Sequence, residues 1–186
     1  MKKIILFSLL LTSILYSDAK IYMGVGGGVY NETLDNTAST SISANMARIK
    51  VGYGDREAYA IEFSVDYVDN SETLLNINGT VADGPRYGMN VELIKAFDFD
   101  IYINPFVKAG FGMGYTETTV DGAKDSLSYG SLNLGLGTYI PINEHLDIEL
   151  GYDYKYLSYQ RLKQTSSAGT LKSMAHTGYI GINIRY

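Results

Sequence analysis

The most constraining feature of this chain is the stretch Leu146 to Tyr156. Its even positions are Leu146, Ile148, Leu150, Tyr152, Tyr154 and Tyr156; its odd positions are Asp147, Glu149, Gly151, Asp153 and Lys155. Side chains alternate between the two faces of a strand, so these residues make one apolar face and one charged face. A helix would mix the two sets around its circumference. A strand of this length, tilted by about 45°, crosses a hydrocarbon core of about 30 Å.

The same alternation recurs along the chain. It predicts strands over about 21–30, 45–53, 58–68, 86–95, 101–115, 128–140, 146–156 and 173–186. Short turns are expected at Gly54-Asp55-Arg56, around Phe97-Asp98-Phe99 and at Pro141-Ile142-Asn143-Glu144. Longer polar loops are expected at 31–42, 69–85, 116–126 and 157–172. Pro105 cannot donate to a ladder, which places it near the start of its strand, at a bulge or beside the turn. Hairpin geometry about the three short turns puts Lys50 opposite Glu62, Glu92 opposite Asn104, and Glu149 opposite Gly137. Each pairing brings polar face to polar face, as antiparallel register demands. An even number of strands with turns and loops in strict alternation predicts an all-β, eight-stranded antiparallel up-and-down transmembrane barrel.

A soluble barrel would place its apolar residues inside. Here the polar face is rich in glycine and carries both charge signs, which suits a crowded lumen. The apolar face is nearly free of charge through its middle. Tyrosines sit near both ends of that face: Tyr67, Tyr87, Tyr115, Tyr154 and Tyr156 toward the loops, Tyr53, Tyr59 and Tyr186 toward the turns. These are expected to form the two aromatic girdles. The luminal charges are then Arg48, Lys50, Lys108, Lys155 and Arg185 against Glu62, Asp66, Glu92, Asp147, Glu149 and Asp153. A transport path would lean on one sign; a near-balanced set predicts a structural ion-pair network, with Arg48 diagonal to both Glu62 and Asp66.

Lys2 and Lys3 precede an apolar run, Ile4 to Tyr16, followed by Ser17-Asp18-Ala19. This is the pattern of a signal peptide over 1–19, leaving a barrel domain over 20–186. The run falls short of a membrane-spanning helix. Removing Lys2, Lys3 and Asp18 from 15 basic and 20 acidic residues leaves 13 and 19, a net charge of −6. So acidic a chain is a poor match for nucleic acid. With no cysteine, disulfides and thiolate metal sites are excluded.

The signal segment, the eight alternating strands, the glycine-rich segments 23–29 and 107–115, and the end Tyr179-Ile180-Gly181-Ile182-Asn183-Ile184-Arg185-Tyr186 together resemble the OmpA/OmpX-type family. This is the small outer-membrane β-barrel domain often labelled "porin family". The resemblance covers essentially all of residues 20–186 and implies a monomer in the outer membrane of a Gram-negative cell. It implies contact with outer-membrane lipids and recognition by the barrel assembly machinery. It also makes Tyr179, Gly181, Ile182, Ile184 and Tyr186 an assembly signal, although the terminal Tyr departs from the commoner Phe. The chain stops at the barrel, so the wall-anchoring domain of longer relatives is not expected.

Enzymatic readings fit the residues less well. The G-x-G spacings at Gly24–Gly28 and Gly110–Gly114 open no helix, so a dinucleotide loop is not expected. Some small barrels of this kind modify lipid A with a His and a Ser. Here His176 would face lipid and Ser173 the opposite face, while His145 lies at the wrong end. Loop carboxylates, Glu32 among them, show no ligand spacing, so no metal and no cofactor is expected. The function expected is therefore non-enzymatic: a barrel that supports the envelope and shows four loops for adhesion or recognition of an extracellular ligand. A small-solute pore is the first alternative and a lipid A-modifying enzyme the second.

Overall fold

In a computed structural model, the described residues are 19–34, 41–70, 73–77, 80–120, 122–160 and 171–186. The segment expected to be a signal peptide lies almost wholly outside them. The strands are β1 (Lys20–Leu34), β2 (Ser41–Gly54), β3 (Tyr59–Asp69), β4 (Leu75–Ile77), β5 (Thr80–Ala82), β6 (Arg86–Ala96), β7 (Asn104–Val120), β8 (Ala123–Pro141), β9 (Leu146–Tyr159) and β10 (Lys172–Arg185). Eight of them close a ring in the order β1, β2, β3, β6, β7, β8, β9, β10, every pair antiparallel, with β10 returning to β1. The short β4–β5 hairpin adds to β7 beyond the end of β6. No helix among the described residues is long and apolar enough to cross a membrane, which has no bearing on a span made of strands.

The apolar face is outside. Met23, Val25, Ile49, Met89, Leu134, Ile180 and Ile182 are about half exposed, while Lys108, Glu92, Asp153 and Glu149 are buried within the ring. Inward aromatic rings lie over glycines on the neighbouring strand: Tyr22 pairs with Gly52, Tyr179 with Gly151, Phe106 with Gly137. A Cβ at Gly52 would run into the Tyr22 ring, and one at Gly151 into that of Tyr179. Glycine is therefore what lets an eight-stranded lumen hold large side chains.

Three expectations need correction. First, segments read as loops are strand. β1 continues to Leu34 and β2 begins at Ser41; β7 and β8 run to a tight turn where Gly122 takes φ of 82°. On these extensions the hydrophobic phase is inverted. Leu34, Ile42, Ala44, Leu127 and Leu157 point inward and are buried, in phase with Met46 and Val68 at the outer ends of the expected strands, while Asn31, Ser41 and Ser43 point outward and are exposed. Period 2 persists, but water has replaced lipid outside, so the apolar residues go in. Second, the registers differ. Lys50 pairs with Ser64, Glu92 with Gly110 and Glu149 with Tyr139. Every offset is even, because an odd one would turn a charged face to lipid. Third, the strand expected from Ile101 starts at Asn104. Phe99, Ile101 and Tyr102 form an exposed apolar turn instead, in which Asp100 takes φ of 55°. Pro105 is the second residue of β7, near its start as expected.

Candidate functional site

Charges sharing a face on separate strands meet in the lumen. Arg48 sits opposite Asp66; its Nε donates to Oδ1 at 2.6 Å and its Nη2 to Oδ2 at 3.1 Å. Its Nη1 reaches across the ring to Asp153 at 2.8 Å. Lys108 bridges Glu92 at 2.9 Å and Asp153 at 3.0 Å. Lys155 donates to Asp66 at 2.6 Å. Lys50 reaches Glu62 diagonally at 3.0 Å and also contacts Glu149. Neutral groups complete the layer. Asn90 donates to Ser64 and Asp66, Asn133 to Asn90, and Asn183 and the Tyr179 hydroxyl to Glu149. A buried charge is costly unless paired and hydrogen-bonded, and each of these cations has at least one carboxylate within 3.0 Å.

Two further groups belong to this interior although the sequence pattern left them in a loop and a turn. Glu32, fully buried, accepts from Tyr159 at 2.5 Å, from Tyr30 at 2.6 Å, and from Ser173 and Arg86. The Arg86 guanidinium lies 5.2–5.7 Å from the rings of Tyr30, Tyr129 and Tyr159. Parity was the available signal, since Glu32 shares the phase of Tyr30, and Arg86 that of Asn90 and Glu92. At the short-turn end, Arg56 donates to Asp147 at 2.8 Å, and Arg185 donates to the other oxygen of the same carboxylate. Arg56 thus supplies the cation missing from the five-against-six set inferred above, and the Glu32–Arg86 pair leaves that balance unchanged.

The lumen is therefore stacked in layers. Tyr22, Ala60, Ile94, Ala96, Phe106 and Tyr139 cluster at the short-turn end. The ion pairs occupy the middle. Above them come the Glu32–Arg86 group and the apolar cluster around Leu34, Ile42, Met46 and Leu157. On β10, Tyr179 and Gly181 face inward, while Ile182 and Ile184 face outward; Tyr186, just after the strand, is exposed.

The histidines stand apart from this interior. His176 is on the outer face; its Nδ1 is 2.6 Å from the Tyr152 hydroxyl, and its ring meets that of Tyr154. Ser173 is buried on the opposite face against Glu32. His145 lies in the turn before β9. Among the described residues, no group of three or more His, Asp or Glu side chains is placed to hold a metal ion.

A family model described as the outer membrane protein beta-barrel domain matches residues 5–182. Among solved structures, the chain is similar to neisserial surface protein A, with a TM-score of 0.67 and 14% identity over 91% of this chain and 100% of that one. It is similar to Ail, the attachment invasion locus protein of Yersinia pestis, with a TM-score of 0.55 and 16% identity over 89% and 98%. It is also similar to a major outer membrane protein of Thermus thermophilus, with a TM-score of 0.52 and 11% identity over 91% and 100%. At these identities the likeness is one of fold. No curated protein matches.

Proposed function

The chain belongs to the outer membrane protein β-barrel domain family, and from that premise we propose that it is a sealed, non-enzymatic barrel of the outer membrane. It supports the integrity of the envelope and holds its outer hairpins as a platform for adhesion or recognition. Segment 1–19 exports it, the barrel assembly machinery inserts it, and it works as a monomer surrounded by outer-membrane lipid.

The observation that carries this reading is the filled lumen. An eight-stranded ring is only wide enough for side chains to fill it. Here aromatic rings, paired charges and an apolar cluster succeed one another along the axis. An ion entering would have to displace charges already bound to each other and then cross an apolar layer. The recognition half of the proposal draws on the β7–β8 hairpin, whose outer end carries Glu117, Lys124, Asp125 and Ser126, and on the β4–β5 hairpin added to it. The solved Ail structure offers an analogy, being named for attachment and invasion.

Planar-bilayer recording tests the sealed barrel. Purified protein should give rare, small current events at most. Stable, porin-sized steps would refute it and put the small-solute pore in its place.

A further inference from the structure

The turn between β6 and β7 carries apolar surface that the sealed lumen does not use. Phe97 is 38% exposed, Phe99 61%, Ile101 54% and Tyr102 70%. The rings of Phe97 and Phe99 stack with centroids 6.1 Å apart. Four large apolar side chains together on one exposed turn make a contact surface. The turn has a defined shape: the Asp98 carboxylate accepts from the Asp100 backbone N–H at 2.8 Å, and Asp100 takes φ of 55°, a conformation that Asp tolerates.

What covers this surface follows from its position. β6 and β7 enter the turn with their outward residues in phase: Leu93 pairs with Ala109 and Lys95 with Val107. The Phe97 N–H donates to the Pro105 carbonyl at 2.8 Å, so Phe97 and Pro105 continue the lipid-facing surface of Leu93 and Val107 toward the periplasmic end. Lys95 is half-buried on this outward face, its Nζ 4.2 Å from the centroid of the Tyr59 ring and 5.6 Å from that of Phe97. A lysine whose stem lies along apolar side chains while its ammonium reaches out is suited to a membrane interface. Aromatic rings beside it are favoured at the headgroup level. The charges select the lipid. Among the described residues, Lys95 has no carboxylate partner, and the exposed Asp98 and Asp100 have no cation. Two carboxylates at the tip repel an anionic surface. A headgroup with both a phosphate and an ammonium meets Lys95 with the first and the aspartates with the second. We propose that the turn 97–103 docks in the headgroup region of the periplasmic leaflet and recognises a zwitterionic phospholipid. Phe97, Phe99, Ile101 and Tyr102 lie against its upper acyl chains, and Lys95, Asp98 and Asp100 against its head. The proposal rests on the apolar face of the barrel meeting lipid.

Tryptophan fluorescence of the full chain tests this, since the sequence has no tryptophan of its own. Phe99→Trp, with Val51→Trp as the reference for barrel orientation, is reconstituted in phosphatidylcholine vesicles brominated either near the headgroup or near the bilayer centre. The shift in gel migration on boiling verifies that each variant is folded. Phe99→Trp should be quenched more by the shallow bromines than by the deep ones, and should be shielded from aqueous acrylamide. Headgroup choice is read in mixtures of phosphatidylcholine and phosphatidylglycerol in which one of the two is brominated. Phosphatidylcholine should be enriched about twofold beside Phe99→Trp, the worth of an exposed ion pair. Adding Asp98→Asn and Asp100→Asn keeps the turn, because Asn offers the same acceptor and tolerates the same φ, and should abolish the enrichment. Quenching of Val51→Trp with Phe99→Trp unquenched and open to acrylamide would overturn the proposal and leave the barrel's orientation intact. Loss of quenching at both positions would refute the lipid-facing reading itself. Absence of enrichment, or enrichment that survives both Asn substitutions, would overturn the headgroup assignment.

Discussion

Replacing Arg48 by Met tests the ion-pair layer at its centre. The substitution keeps an unbranched apolar stem and removes the guanidinium, with its contacts to Asp66 and Asp153. Neither carboxylate is stranded, since Asp66 keeps Lys155 at 2.6 Å and Asp153 keeps Lys108 at 3.0 Å. The local set nevertheless changes from three cations and three carboxylates (Arg48, Lys108 and Lys155 against Asp66, Glu92 and Asp153) to two against three. Breaking a buried pair by removing one partner costs about 3–5 kcal/mol. The remaining cations place this case toward about 3 kcal/mol, to which the loss of the guanidinium over the Tyr179 ring, at 4.8 Å, adds about 0.5–2 kcal/mol. Adding Asp153→Asn restores the balance, and the double variant should recover most of the loss. Urea unfolding in lipid vesicles, followed by circular dichroism, measures both variants. An Arg48→Met protein within about 0.5 kcal/mol of the parent, the range of an ordinary surface substitution, would refute the reasoning. So would a double variant less stable than the single one.

Other outcomes follow from the same geometry. Val91→Lys puts an ammonium on the outward face of β6, where Val91 is 48% exposed, and should cost about 2–4 kcal/mol near the bilayer midplane. The yield of heat-modifiable barrel in outer-membrane fractions measures it. Glu32→Gln removes the anion that holds Arg86, leaving a buried guanidinium with a neutral partner. It should loosen the long-loop end by about 3 kcal/mol, read as faster protease cleavage of the outer hairpins while the lower strands keep their hydrogen-exchange protection.

Most of the barrel was legible because lipid outside and ion pairs inside impose one phase on every strand. The run from Leu146 to Tyr156 states that phase without interruption, and Arg48, Lys50, Glu62 and Asp66 follow it onto the same face. What the pattern could not state was length. Hairpin register depends on how many residues a turn consumes, and the seven residues 97–103 between β6 and β7 moved the partner of Glu92 from Asn104 to Gly110. The outer ends were missed for another reason. Leu34, Ile42 and Leu157 keep period 2 but sit inside, so a search for apolar residues facing outward reads them as loop. Glu32 was lost with them, and with it the Arg86 group. Arg56 was hidden in a turn, where only the three-dimensional fold brings it to Asp147.

The central claim is that the apolar face meets lipid and the charged face fills the lumen. The chain contains no tryptophan, so a single Trp reports without background. Val51→Trp replaces an outward residue that is 41% exposed, and Phe106→Trp replaces an inward one that is 2% exposed. In vesicles of brominated phospholipid, fluorescence from Val51→Trp should be strongly quenched and that from Phe106→Trp little affected. Quenching of Phe106→Trp with Val51→Trp shielded would mean that the barrel is inside out, and would contradict the account.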